Sequence, residues 1–173
     1  MKKMALLGLG IFLTISCTKT NQKSQVSEVG ATPVEVQSKM GDEWEVQYTR
    51  IYGRFVEGIK YPVLTIVSSK SELDKYCELL KETYSLSSEC INTMNVHSDI
   101  FFKNNYLVMV VIQEGSGSIR HKIERIDENG DIFMNRFSPS IQTDDMALWN
   151  VMVELDSKFK ANSFRVIFND IVE

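Results

Sequence analysis

The chain has 173 residues, a hydrophobic content of 43% and a formal net charge of -4 at pH 7. This length favours a single domain, and this hydrophobic content is too high for a disordered chain. A mildly acidic composition also argues against nucleic acid as a partner, because binding to phosphates requires clustered Lys and Arg.

Residues 1–16 have the layout of a secretory signal peptide. Lys2 and Lys3 precede an apolar run over residues 4–15, as in export signals. Cys17 follows this segment and resembles the cysteine of the bacterial lipoprotein signal, whose thiol is lipidated and becomes the new N-terminus. We therefore expect a lipid on Cys17 that holds the protein at the extracytoplasmic face of the cell membrane. An ordinary signal peptide and a transmembrane anchor are the alternatives, although an anchor needs about 20 apolar residues.

Residues 17–42 have the composition of a flexible tether. Polar and small residues dominate, and the hydrophobic residues show no sustained period. Such a segment cannot bury enough apolar surface to offset the entropy lost on ordering. A flexible chain of this length reaches about 25–30 Å, which holds a small domain clear of lipid headgroups. A short strand around Val34 to Val36 is the alternative.

Hydrophobic periodicity over residues 43–173 predicts one domain with about seven strands. The predicted strands cover residues 44–51, 61–67, 106–112, 119–126, 132–137, 148–156 and 164–168. Residues 107–112 are wholly apolar, so that strand is expected at the centre of a sheet, with both faces covered. Pro62 lacks an N–H group and belongs at the start of a strand or on an edge.

One main helix is predicted over residues 69–84. Apolar residues recur there every three or four positions and mark one buried face, made of Leu73, Tyr76, Cys77, Leu80 and Tyr84. A loop through Ser87, Ser88 and Asn92 is expected to follow, and residues 98–103 are predicted as a short helical or turn segment.

Two turn signals predict that consecutive strands are antiparallel. Gly115 to Ser118 is expected to form a tight connection in which glycines permit positive φ, and Asn129–Gly130 is a type I′ hairpin signal. Parallel strands would need crossovers of a dozen or more residues. The predicted class is therefore α+β, with a mainly antiparallel, curved sheet or open barrel packed by one main helix.

Cys77 and Cys90 remain once Cys17 is assigned to the lipid. Disulfides persist outside the cytoplasm, and closing this loop would contribute about 3 kcal/mol to the free energy of unfolding in a chain-entropy account. Two buried thiols are the alternative, because Cys77 lies on the apolar face of the predicted helix.

The sequence contains no catalytic signature, and we predict no metal and no cofactor. Neither histidine has zinc-ligand spacing, and no P-loop, dinucleotide-binding glycine pattern or G-x-S-x-G motif is present. His97 could join Asp99 as an acid–base pair, but a loop histidine with satisfied hydrogen bonds is favoured. His121 is expected at a half-buried strand position, and Asp144 with Asp145 in a solvated turn.

Two stretches together resemble a known family. Residues 64–76 (Leu-Thr-Ile-Val-Ser-Ser-Lys-Ser-Glu-Leu-Asp-Lys-Tyr) pair a strand with the start of a helix, and Asp99-Ile-Phe-Phe precedes a central strand that ends in a Gly/Ser turn. This order is similar to the C-terminal domain of PrcB-type proteins, which are accessory lipoproteins of a bacterial protease complex, and to related secreted lipoproteins. The resemblance implies an α+β fold and a non-enzymatic accessory role.

The favoured function is that of a membrane-tethered binding or accessory domain whose partner is another envelope or secreted protein. The expected contact region is the turn Gly115, Ser116, Gly117 and Ser118 with the basic side chains Arg120 and Lys122, because loops on a rigid sheet commonly carry binding. An extracytoplasmic hydrolase that uses His97 and nearby acids is the first alternative. A structural protein that binds a cell-wall polymer is the second.

Overall fold

The computed structural model describes residues 34–38, as backbone only, and residues 44–173. These residues form eight strands, two helices and a 3₁₀ turn. In chain order the elements are β1 Val34–Ser38, β2 Trp44–Ile51, β3 Val63–Val67, α1 Lys70–Tyr84, α2 Ser88–Met94, the 3₁₀ turn Phe101–Lys103, β4 Asn105–Glu114, β5 Arg120–Ile126, β6 Asp131–Ser138, β7 Ala147–Asp156 and β8 Arg165–Val172.

The strands form two separate sheets. One has the order β1-β2-β7-β4-β3 and is antiparallel throughout. The other has the order β5-β6-β8, in which β6 and β8 are parallel. The mixed α/β class with mainly antiparallel strands is thus confirmed. The single curved sheet or open barrel is wrong, because the larger sheet is apolar on both faces and takes a separate layer on each side.

The larger sheet is the middle layer, and β4 lies near its centre. Leu107 and Met109 of β4 pack in the core formed with α1 and α2, whereas Val108 and Val110 pack in the core formed with the three-stranded sheet. Side chains alternate along a strand, so a wholly apolar strand serves both cores. The predicted central strand with two covered faces is confirmed.

The predicted alternation along β7 is also confirmed. Trp149, Val151, Val153 and Leu155 all pack against the three-stranded sheet. A hydrogen bond joins the two sheets beside them, since the backbone N–H of Ile123 donates to the Tyr48 hydroxyl at 2.7 Å.

Helix α1 begins and ends as its sequence predicts. Ser69 is the N-cap, and its hydroxyl accepts a hydrogen bond from the Glu72 N–H at 3.2 Å, which satisfies one of the open amide groups of the first turn. The five residues predicted on the buried face are the five that the structure buries: Leu73, Tyr76, Cys77, Leu80 and Tyr84.

The segment after α1 differs from its prediction. Residues predicted as a loop form α2, for which Ser87 is the N-cap through a hydrogen bond from the Cys90 N–H. Of the helical or turn segment predicted over residues 98–103, the 3₁₀ turn is present. Seven residues are too few for a clear helical period, and the N-cap serine was the available signal.

Neither turn has the predicted geometry. Gly115 to Ser118 leads from β4 in one sheet to β5 in the other and is not a hairpin turn, and its glycines do not have positive φ. The hairpin between β5 and β6 is confirmed, but its turn is not type I′. The N–H of Gly130 donates to the Asp127 carbonyl at 2.9 Å, and Gly130, with a φ of 87°, has the left-handed conformation without Asn129. A type I turn followed by a left-handed glycine has this pattern.

The cis Tyr61–Pro62 bond immediately precedes β3, which is an edge strand, as predicted for Pro62. Strand β1 lies inside the range 17–42 that was predicted as a tether, and there the structure has the alternative, a short strand. β1 pairs with β2, and these backbone hydrogen bonds explain how a polar segment can extend a sheet. The rest of that range, the signal segment and Cys17 lie outside the described residues.

The structure has no bond between Cys77 and Cys90. Cys77 carries a free thiol, and both side chains are buried, which is the second of the two alternatives that the sequence left open. Burial raises the pKa of the Cys77 thiol to about 11. Within the part of the chain that the structure describes, no helix is long and apolar enough to cross a membrane.

Candidate functional site

A cleft of about 230 Å³ lies where the ends of the two sheets diverge. Its walls come from the segment before β3, the end of β4, and strands β6 and β8. The residues that line it are Tyr61, Pro62, Ile112, Gln113, Glu114, Arg136, Phe168 and Asp170. Apolar and aromatic surfaces therefore surround three charged side chains, as in many ligand sites.

Glu114 and Arg136 form the central ion pair of this cleft. Arg136 Nε lies 2.8 Å from Glu114 Oε1, and Arg136 Nη2 lies 2.5 Å from Glu114 Oε2. This two-pronged contact fixes the planes of both groups. Arg136 Nη1 also donates to Asp170 Oδ1 at 3.1 Å. Glu114 is buried, whereas 65% of the Asp170 side chain is exposed, so Asp170 is the carboxylate that a ligand meets first.

His121 extends this network into the core. Its side chain is fully buried, and Nε2 lies 2.7 Å from Glu114 Oε1. A carboxylate accepts hydrogen bonds, so we assign the proton of this contact to Nε2. His121 Nδ1 has no hydrogen-bond partner among the described residues. His121 was predicted at a half-buried strand position, and the structure buries it further, beside Trp149 and Phe168.

The charges in the cleft are fixed by these contacts. Burial raises the pKa of the Glu114 carboxyl, but hydrogen bonds from His121 and Arg136 outweigh it, so the pKa is lowered overall. Hydrogen bonds to Glu114 raise the pKa of the Arg136 guanidinium. Two carboxylates therefore face one guanidinium, and the cleft has an excess of negative charge.

The predicted contact region Gly115 to Ser118 follows directly after Glu114. Ser116 is buried, and its hydroxyl lies 2.8 Å from that of Ser118 and 3.0 Å from that of Thr143. The Gly117 N–H donates to Asp145 Oδ1 at 3.3 Å. The loop is thus held by its own polar groups and by the loop before β7.

Arginines complete this loop. Arg120 Nη1 donates to the Gly117 carbonyl at 2.6 Å, and the Arg120 guanidinium lies 5.3 Å from the centre of the Trp149 ring. Lys122 is exposed on the same face of β5 as Arg120. Arg50, which the sequence did not single out, pairs with Asp145 at 2.5 Å. Asp145 is therefore part of a structured loop contact as well as an exposed residue.

His97 and Asp99 are not brought together as a pair. His97 Nε2 lies 2.7 Å from Glu154 Oε1, and its ring is 4.1 Å from that of Phe101, whereas Asp99 is exposed. This is the bonded histidine that the sequence favoured, with a carboxylate from β7 as its partner. Across residues 44–173, no three His, Cys, Asp or Glu side chains are grouped so that they could hold a metal ion.

The charged residues of the cleft were missed as a site. Glu114, Arg136 and Asp170 lie on three strands, and the sequence gives no spacing that joins them. The available signal was Glu114 itself, an acidic residue that ends an apolar strand and is therefore placed near buried groups.

We compared the chain with known protein families, curated proteins and solved structures, and none of the three comparisons found a match.

Proposed function

We propose that this protein is a membrane-tethered, extracytoplasmic binding or accessory protein without enzymatic activity. Its cleft binds a positively charged side chain on another envelope or secreted protein. A lipid on Cys17 provides the tether. The resemblance of residues 64–125 to PrcB-type accessory lipoproteins supports the same class of function, and the acidic composition argues against nucleic acid as the partner.

The observation that carries this proposal is the unequal charge of the cleft. Glu114 and Asp170 contribute two carboxylates, and Arg136 alone opposes them. Tyr61 and Phe168 provide aromatic surface beside these charges. A lysine or arginine side chain combines a cationic end with an apolar stem, and both parts find matching surface here.

The rigidity of the site also favours binding. Arg136 is held by two carboxylates, and Glu114 is held by Arg136 and His121. Groups that are fixed before a ligand arrives lose little conformational entropy on binding. The loop Gly115 to Ser118 lies at the same end of the fold, and we retain Lys122 and Arg120 as a second contact region for the same partner.

Affinity capture from the native envelope, followed by quantitative mass spectrometry, tests this proposal. Asp170→Arg reverses the charge at the mouth of the cleft and should lose a partner that the unchanged protein captures. Glu57→Arg makes the same change at an exposed acid outside the cleft and should keep that partner. Equal capture by all three proteins would show that the cleft does not select the partner.

One observation keeps the hydrolase alternative open to test. The contact between His97 and Glu154 resembles the carboxylate–histidine contact that orients a general base. His97 Nδ1 is buried without a hydrogen-bond partner among the described residues, so a substrate would have to reach that atom. Turnover by the full-length protein that His97→Ala abolishes would favour this alternative over the binding function.

A further inference from the structure

One edge of the five-stranded sheet carries no protection against further pairing. β3 is the last strand in the sheet and pairs with β4 alone among the described strands. Its sequence, Val-Leu-Thr-Ile-Val, contains no charged residue, Gly or Pro. Alternate N–H and C=O groups of an antiparallel edge strand point away from its neighbour and can accept another strand.

The edges of the smaller sheet differ from β3. β5 presents the exposed charged residues Arg120, Lys122 and Glu124, and its register shifts after Ile123. β8 exposes Asp170. Charges and bulges on edge strands are devices that discourage pairing. β3 has neither, so it is the edge best suited to accept a strand.

A groove runs beside this edge, between β3 and α1. Its volume is about 230 Å³, and it is lined by Thr65, Ile66, Val67, Glu72, Lys75, Tyr76 and Leu79. Ile66 is 51% exposed and Leu79 is 59% exposed. An added strand would cover apolar side chains that are open to water here.

The groove also has an unmatched positive charge. The Glu72 carboxylate accepts hydrogen bonds from the Ser68 backbone N–H at 2.7 Å and from the Ser68 hydroxyl at 3.0 Å. Lys75 is exposed and has no ion-pair partner within residues 44–173. A ligand that covers the groove would therefore gain from a carboxylate placed opposite Lys75.

We propose that the β3 edge binds an extended segment of a partner polypeptide, which adds a sixth strand to the five-stranded sheet. The segment pairs with the open backbone groups of β3, its apolar side chains cover Ile66 and Leu79, and an Asp or Glu side chain faces Lys75. Backbone pairing gives affinity in this mode of recognition, and alternate side chains give specificity. This surface is distinct from the cleft, and the inference does not depend on the proposed function.

Amide exchange and chemical shifts of the isotope-labelled full-length protein test this inference. The probes are two synthetic peptides that match β3 in length and alternate Val with Thr, one with Glu at the centre and one with Lys. We expect the Glu peptide to slow exchange of the β3 amides and to bind about fivefold more tightly than the Lys peptide, because it exchanges a repulsion for an attraction at a surface site.

Three variants sharpen the test. Lys75→Glu should reverse the preference between the two peptides, and Lys158→Glu, at an exposed lysine in the loop between β7 and β8, should leave it unchanged. Ile66→Lys adds an edge charge and should abolish binding of both peptides.

Several results would overturn the inference. Unchanged β3 amides would do so, as would a response at β5 or β8 in place of β3. Equal binding of both peptides to all variants would exclude the role of Lys75. Protection of β3 that depends on protein concentration without peptide would identify a second copy of this chain as the occupant.

Discussion

Glu114 is the residue on which the charge network depends. It accepts hydrogen bonds from His121 on β5 and Arg136 on β6, and it is buried at the end of β4. A buried carboxylate with two such partners contributes to stability only while it is ionised. Removing its charge therefore leaves two polar partners poorly satisfied.

We predict that Glu114→Gln lowers the free energy of unfolding by about 3 kcal/mol at neutral pH, as expected when one member of a buried ion pair is removed. The pKa of Glu114 is lowered from 4.5, so its stabilising contribution is present above that pH and is lost as the pH falls through the folded-state pKa. Urea unfolding at a series of pH values should show the two proteins converging at low pH. A difference that stays constant with pH would contradict this account.

The two glycines of the loop after β4 have different roles. A Cβ atom at Gly117 would collide with the ends of Arg50 and Asp145, whereas a Cβ atom at Gly115 would meet nothing within 4 Å. We predict that Gly117→Ala disturbs that ion pair and lowers the free energy of unfolding by about 1–2 kcal/mol. Gly115→Ala is the matched control and should change it by less than about 0.5 kcal/mol.

Thermal unfolding of both variants provides the measurement. If Gly115→Ala were as destabilising as Gly117→Ala, the close approach to Arg50 and Asp145 would not be the reason for glycine at position 117. The sequence indicated positive φ as the role of these glycines. The actual constraint at Gly117 is contact with side chains distant in sequence, which spacing along the chain cannot show.

Individual elements were more predictable than individual contacts. The period of α1 and the alternation along β7 each depend on residues close in sequence, so they identified the buried faces correctly. Helix α2 was missed because so short a helix shows little period. The cleft was missed because its charged residues come from β4, β6 and β8, and their contacts are set by how the sheets stack.

One hydrogen bond fixes α1 on the larger sheet. The Tyr76 hydroxyl donates to Asn150 Oδ1 of β7 at 2.6 Å, and both residues are buried. Burial raises the pKa of Tyr76, so the hydroxyl keeps its proton. Asn150 Nδ2 has no partner among the described residues, and this side chain therefore depends on Tyr76 for satisfaction.

We predict that Tyr76→Phe lowers the free energy of unfolding by about 1–2 kcal/mol, because it leaves a buried amide oxygen without a donor. Tyr61→Phe removes a hydroxyl that is only partly buried, 3.1 Å from the Tyr84 hydroxyl, and should have a smaller effect. Urea unfolding of both variants measures the difference. Equal effects would mean that the buried contact with Asn150 contributes no more than a surface hydrogen bond.

The whole molecule combines a membrane address predicted from residues 1–17 with three packed layers seen in the described residues. The sequence indicated the number of strands and their mainly antiparallel order. It could not show that they divide into two sheets, because the turn after β4 has the composition of a hairpin turn. That division creates the cleft, so the site depends on a feature of the whole fold.

The membrane address has its own prediction. Mass spectrometry of the protein extracted from membranes should find a lipidated N-terminus at Cys17, because the preceding segment has the layout of a cleaved export signal. An intact Met1, or cleavage elsewhere with an unmodified Cys17, would contradict the lipid tether. The cleft could still bind a partner in that case.

The most direct test of the central claim is an NMR titration of the full-length protein with N-acetyl-arginine methylamide and, separately, with acetate. An acidic cleft predicts that the arginine derivative shifts the signals of Arg136, Phe168 and Asp170, and that Asp170→Asn weakens this binding about threefold. Glu57→Gln should leave it unchanged. Shifts of the same signals by acetate, with none from the arginine derivative, would show that the cleft selects anions and would contradict the account.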